Sequence, residues 1–112
     1  MPFDATPVVQ PVHTEELAIV DKMIALLKDP KRWCKRHYTN GHQYCLVGAL
    51  GQVATGDPCC LPADRPHSRA VDHVLRVIDR MVPIGVTLFN DLPDTDHSDV
   101  MALLTKVRAQ FQ

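Results

Sequence analysis

No stretch of this chain approaches the ~18 consecutive apolar residues that a membrane-spanning helix needs, so a membrane-embedded role is not expected. A secretory signal is missing as well: Met1-Pro2-Phe3-Asp4 has neither a basic start nor an apolar run behind it. The chain is therefore expected to stay in the cytoplasm, with its four cysteines (Cys34, Cys45, Cys59, Cys60) reduced. A disulfide between the adjacent Cys59 and Cys60 would be strained in any compartment. A surplus of one charge is lacking too. Twelve Lys and Arg against thirteen Asp and Glu leave a formal net charge of −1. That exerts no global pull toward nucleic acid or an anionic membrane, so an electrostatic partner has to be met by a local patch. There is no internal repeat.

What is present is enough for one domain. At 112 residues, with 46% hydrophobic and 22% charged residues, the chain can bury roughly two thirds of its unfolded surface without staples. Residues 1–12 hold Pro2, Pro7 and Pro11 and read as an extended arm. From there the periodicity is helical. Leu17, Val20, Ile24 and Leu27 form a stripe on a first helix capped by Thr14 and ended at Asp29-Pro30. Residues 45–54 form a second, central helix with Leu46, Ala49, Leu50 and Val53 on one face. Its internal Gly48 and Gly51 each cost about 1 kcal/mol against alanine, which points to a close approach by another segment. Val71, Val74, Leu75, Ile78 and Val82 mark a third helix from Ser68 to Val82, closed by Pro83. Residues 84–89 (IGVTLF) are β-branched and apolar; with no second strand to pair with, they are expected to cross the core as an extended segment. A turn over 90–96 then leads to a last helix, where Asp96 and Asp99 have capping-box spacing. The expected fold is all-α: a compact four-helix domain over 13–112 with an extended arm over 1–12.

An amphipathic first helix, Trp33, the run Cys45-Leu46-Val47-Gly48-Ala49-Leu50, then Phe89-Asn90-Asp91, Thr95 and Val100 make a combination that is familiar. In these features the chain resembles a family of small uncharacterised bacterial and phage proteins known only as a domain of unknown function. The likeness runs from about residue 15 to 108. Phe89 stands where relatives often carry tryptophan, and the Cys59-Cys60 loop is outside the pattern. The resemblance implies the fold boundaries and no activity.

Four places carry side chains with chemistry. Cys45 begins the central helix, where the positive end of the dipole can lower a thiol pKa. His42 and His37 lie upstream, and Asp91 or Asn90 could orient an imidazole, so a cysteine nucleophile with a histidine base is one reading. A buried structural thiol is the other. Asn90-Asp91 likewise reads either as a turn bonded to nearby amides or as the polar edge of a pocket. Cys34, His37, His42 and Cys45 give C-x2-H followed by H-x2-C, an order and gap unlike the common zinc motifs, so no metal and no cofactor is expected. The basic segment Lys31, Arg32, Lys35, Arg36, interleaved with Trp33, Tyr38 and Tyr44, has the charge and aromatic mixture that suits single-stranded nucleic acid. It suits an acidic protein surface equally well.

The reading these features favour is a non-catalytic binding or regulatory module acting on a protein partner through residues 31–44 and 84–95. Lys31, Arg32, Trp33, Lys35, Arg36, Tyr38 and Asn90 are its candidate binding residues. The alternatives are a hydrolase or transferase using Cys45, His42 or His37, and Asp91 or Asn90, and a single-stranded nucleic-acid binder using the basic loop. The sequence leaves the oligomeric state open.

Overall fold

The computed structural model describes residues 13–59 and 68–112. The expected arm over 1–12 lies outside them, as do Cys60 and His67. Among the described residues the fold is built from helices alone, with no strand: α1 (Thr14–Leu27), α2 (Leu46–Thr55), α3 (Arg69–Met81), α4 (Val86–Asp91) and α5 (His97–Gln110). None of these helices is long and apolar enough to cross a membrane.

The apolar stripes read from the sequence meet in one core. Val20, Met23 and Leu27 of α1 are fully buried against Ala49 and Leu50 of α2, Val74 of α3, and Val100, Leu104 and Val107 of α5. Helices α1 and α5 run antiparallel. Arg108 Nε donates to Asp21 Oδ1 at 2.6 Å near one end, and His97 Nε2 bonds the Leu27 carbonyl at 2.6 Å at the other. The helix starts largely follow the expected chemistry. Ser68 caps α3 by accepting from the Val71 amide at 3.2 Å. Asp96 and Asp99 form a reciprocal capping box on α5. The bonds from the Ser98 hydroxyl and the Asp99 amide hold the Asp96 carboxyl below its ordinary value. Helix α1 departs from expectation: its cap position is His13, without a side-chain bond, and Thr14 is the first helical residue.

Helix α2 is the most enclosed, with Leu46, Gly48, Ala49, Leu50 and Gly51 all buried. The close approach inferred from its glycines is present. A Cβ on Gly48 would lie 1.8 Å from the carbonyl oxygen of Tyr38, and one on Gly51 would lie 2.8 Å from that of Asp57. Gly56, at φ 80°, ends the helix in the left-handed conformation.

The segment 84–89 is not extended. It turns at Gly85 (φ 96°) and enters the short helix α4, which takes in both Asn90 and Asp91. The cause is a cap that arrives from another helix: Asp79 of α3 accepts the Val86 amide at 3.1 Å. A lone β-branched run has no strand to satisfy its amides. Here the helix and the Asp79 carboxylate take them up instead, and Val86 and Asn90 face inward one turn apart.

Candidate functional site

Between α1 and α2 the chain makes an excursion over α2, and much of its backbone is tied down by hydrogen bonds. Asp29 starts it by accepting the Lys31 amide at 3.0 Å and capping a 3₁₀ turn over Pro30–Arg32. Trp33 and Tyr44 then form an isolated bridge, with the Tyr44 amide on the Arg32 carbonyl at 2.7 Å and the Cys34 amide on the Tyr44 carbonyl at 3.1 Å. The Asn40-Gly41 turn appears where the sequence signals it, with Gly41 at φ 103°. The Tyr38 backbone lies directly on Gly48, so this stretch sits closer to α2 than any side chain would permit.

Asn90 is the fastener. It is 1% exposed, and its amide group makes four bonds. Oδ1 accepts from Trp33 Nε1 at 2.8 Å and from the Leu46 amide, at the start of α2, at 3.1 Å. Nδ2 donates to the Cys34 carbonyl and to Asp91 Oδ1, both at 3.0 Å. Asp91 Oδ1 also accepts the Arg36 amide at 2.8 Å. Lys35 bonds the Leu92 carbonyl through Nζ and lies 5.5 Å from the centre of the Trp33 ring. Two side chains of the loop, Trp33 and Lys35, and two of its backbone groups, the Cys34 carbonyl and the Arg36 amide, are thus joined to the end of α4 and Leu92. Arg36 is held at φ 71°, a conformation that non-glycine residues enter at a cost of about 1–3 kcal/mol unless their surroundings impose it.

These ties surround a pocket of about 420 Å³. Arg36, His37, Tyr38 and Thr39 line it from the loop, Thr87, Asn90 and Asp91 from α4, and Cys45 and Cys59 from either end of α2. The structure therefore brings together Cys45, His37, Asn90 and Asp91. It leaves His42 exposed and away from the pocket. Neither imidazole bonds to Cys45. The Cys45 thiol is 5% exposed and serves as the N-cap of α2, accepting the Gly48 amide at 3.3 Å. Burial pushes this thiol above its ordinary pKa and the Asp91 carboxylate adds to the rise, while the amides of Gly48 and Val47 offset only part of it. Burial, with Cys45 and Asp91 nearby, likewise pushes Cys34 up to about 11. Among the described residues no group of three or more His, Cys, Asp or Glu side chains is placed to hold a metal ion.

A family described as "Family of unknown function (DUF6197)" matches residues 11–110. The chain belongs to that family. No curated protein and no solved structure matches it. Membership in DUF6197 brings no activity with it.

Sequence reasoning overlooked Thr39, Thr87 and Cys59 as pocket residues, and nothing in their local pattern marks them. It also treated Asn90 as a turn residue or pocket edge. The available signal was its position four residues after Val86, on the inward side of an apolar helix.

The thiol environments give a direct prediction. At neutral pH only about one Cys34 in ten thousand carries a thiolate if its pKa is near 11. Iodoacetamide should therefore label exposed Cys59 quickly in the folded protein, and Cys34 and Cys45 only on unfolding, as resolved by peptide mass spectrometry. Fast labelling of Cys45 below neutral pH, slowed by replacing His37 or His42, would instead mark it as an activated nucleophile.

Proposed function

We infer that this member of the DUF6197 family is a non-catalytic binding module, and that its working face is the loop over 31–44 together with α4. The observation that carries this reading is the way an exposed loop is fixed. Asn90, Asp91, Gly48 and the Lys35 bond to Leu92 all hold one backbone shape, strained at Arg36. Surface loops without such ties are mobile and variable; rigid support beneath a loop is what displayed recognition residues need.

The displayed groups suit a protein partner with acidic residues. Lys31, Arg32 and Arg36 are exposed, and their side chains have no partner among the described residues. Tyr38 is 47% exposed beside them, and α4 carries Leu88 at 55%. The aromatic supply for stacking single-stranded bases is thinner than the sequence promised. Trp33 is packed against the core and bonded to Asn90, and Tyr44 is also half-buried against the core. Of the three interleaved rings, Tyr38 alone is exposed, whereas base-stacking platforms present several in succession.

The test is a photo-crosslinking residue placed at Tyr38 in cells, with Thr105 on the exposed side of α5 as the control position. The reading expects one discrete polypeptide adduct from position 38, lost when Lys31, Arg32 and Arg36 are changed to glutamate, and none from position 105. Nuclease-sensitive adducts, or equal adducts from both positions, would argue against it.

A further inference from the structure

The pocket beneath the loop has a charge arrangement of its own. Asp91 uses one carboxylate oxygen, Oδ1, for the Arg36 amide and for Asn90 Nδ2. Its other oxygen has no donor among the described residues. Arg36, which also lines the pocket, has a guanidinium with no acceptor among the described residues either. Asn90 can read nothing, because both its polar atoms are fully used. The imidazole of His37 and the half-exposed ring of Tyr38 stand on the same wall as Arg36.

What remains for a ligand, among the described residues, is one carboxylate oxygen of Asp91 and the Arg36 guanidinium around about 420 Å³, within the size range of small-molecule sites. A simple anion would meet the Asp91 carboxylate, and a simple cation would meet Arg36. A molecule carrying both charges meets both groups, and each of its charges exchanges hydration for an opposite charge. We propose that this pocket binds a small zwitterion of the amino-acid type, with its ammonium on Asp91, its carboxylate on Arg36 and its side chain against Tyr38.

The strained backbone at Arg36 belongs to this site. The Asp91 bond to the Arg36 amide ties the backbone of one charge-bearing residue, at its left-handed position, to the side chain of the other. Binding of the zwitterion needs the tied loop described above but no protein partner, so it stands or falls separately from the crosslinking result.

The experiment is a titration of the full chain with each free L-amino acid up to millimolar concentration, followed by amide chemical shifts. Any amino acid that binds is then compared with its N-acetyl and C-terminal amide derivatives. The proposal expects shifts centred on 36–39 and 87–91, and a loss of roughly tenfold or more in affinity when either charge is capped. Asp91→Asn keeps an oxygen for the Arg36 amide and removes the charge. Arg36→Gly keeps the backbone conformation, which glycine adopts freely, and removes the guanidinium. Both variants should hold the melting temperature of the parent, Arg36→Gly even raising it, while binding falls by at least roughly tenfold. Failure of every free amino acid to bind, equal binding of the capped forms, or binding that survives both variants would overturn the assignment.

Discussion

Replacing Asn90 with alanine is expected to destabilise the fold by about 4 kcal/mol, a loss in the range that marks a broken buried network. The substitution strands the Trp33 indole N–H, the Leu46 amide and the Cys34 carbonyl at once. Each buried group left without a partner costs about 1–3 kcal/mol, and partial access of water to the Trp33 side keeps the sum toward the lower end. The expected signature is more specific than lower stability. The loop and the start of α2 lose their common tie, so the Trp33 fluorescence should shift toward that of a solvated indole even in the folded variant. Chemical denaturation followed by circular dichroism gives the first quantity, and emission of the single tryptophan gives the second. A variant as stable as the parent would mean that water or a rearranged side chain replaces all four bonds.

Gly48→Ala should also destabilise, by about 2 kcal/mol net, and it runs against helix propensity. In an unconstrained helix the change would stabilise by about 1 kcal/mol. Here the new methyl would lie 1.8 Å from the Tyr38 carbonyl oxygen, and its neighbours on that side are backbone atoms that cannot rotate away. The loop has to lift as a unit against its bonds to Asn90 and Asp91. Overpacking of this kind costs about 3 kcal/mol, which outweighs the propensity gain. Denaturant unfolding of Gly48→Ala beside Gly51→Ala separates the two terms, since a Cβ at Gly51 meets its nearest backbone atom at the longer distance of 2.8 Å. A stabilised Gly48→Ala would show that the loop does not rest on α2 in solution.

Both predictions locate what could be read in advance and what could not. The stripes Val20–Leu27, Val71–Val82 and Val100–Val107 specify their helices because each repeats one apolar face over about two to three turns. The glycines of α2 were legible for a similar reason: two costly residues in a buried helix need a neighbour that excludes side chains. Residues 84–89 were not. Their β-branched composition favours an extended chain, and the deciding group, the Asp79 carboxylate, belongs to a different helix. The site divides the same way. Asn90 and Asp91 stood out as a pair, and the basic loop stood out by charge. That Trp33 turns inward to Asn90, that Lys35 turns back to Leu92, and that Asp91 holds the Arg36 amide are contacts across more than fifty residues. No local pattern encodes them. Cys45 shows how a correct local rule can be outweighed. It does sit at a helix N-terminus, yet burial and the Asp91 carboxylate together move its thiol the other way.

The account rests on the loop being prebuilt, and hydrogen exchange at the Arg36 amide tests that most directly. This amide belongs to an exposed residue in an irregular loop, and among the described residues its acceptor is the Asp91 carboxylate alone. A prebuilt loop predicts exchange slowed by roughly two orders of magnitude or more relative to an unstructured peptide, and restored to the free rate by Asp91→Ala. Exchange at the free-peptide rate in the parent protein would mean that the loop is not held, and the binding face inferred from it would have to be abandoned.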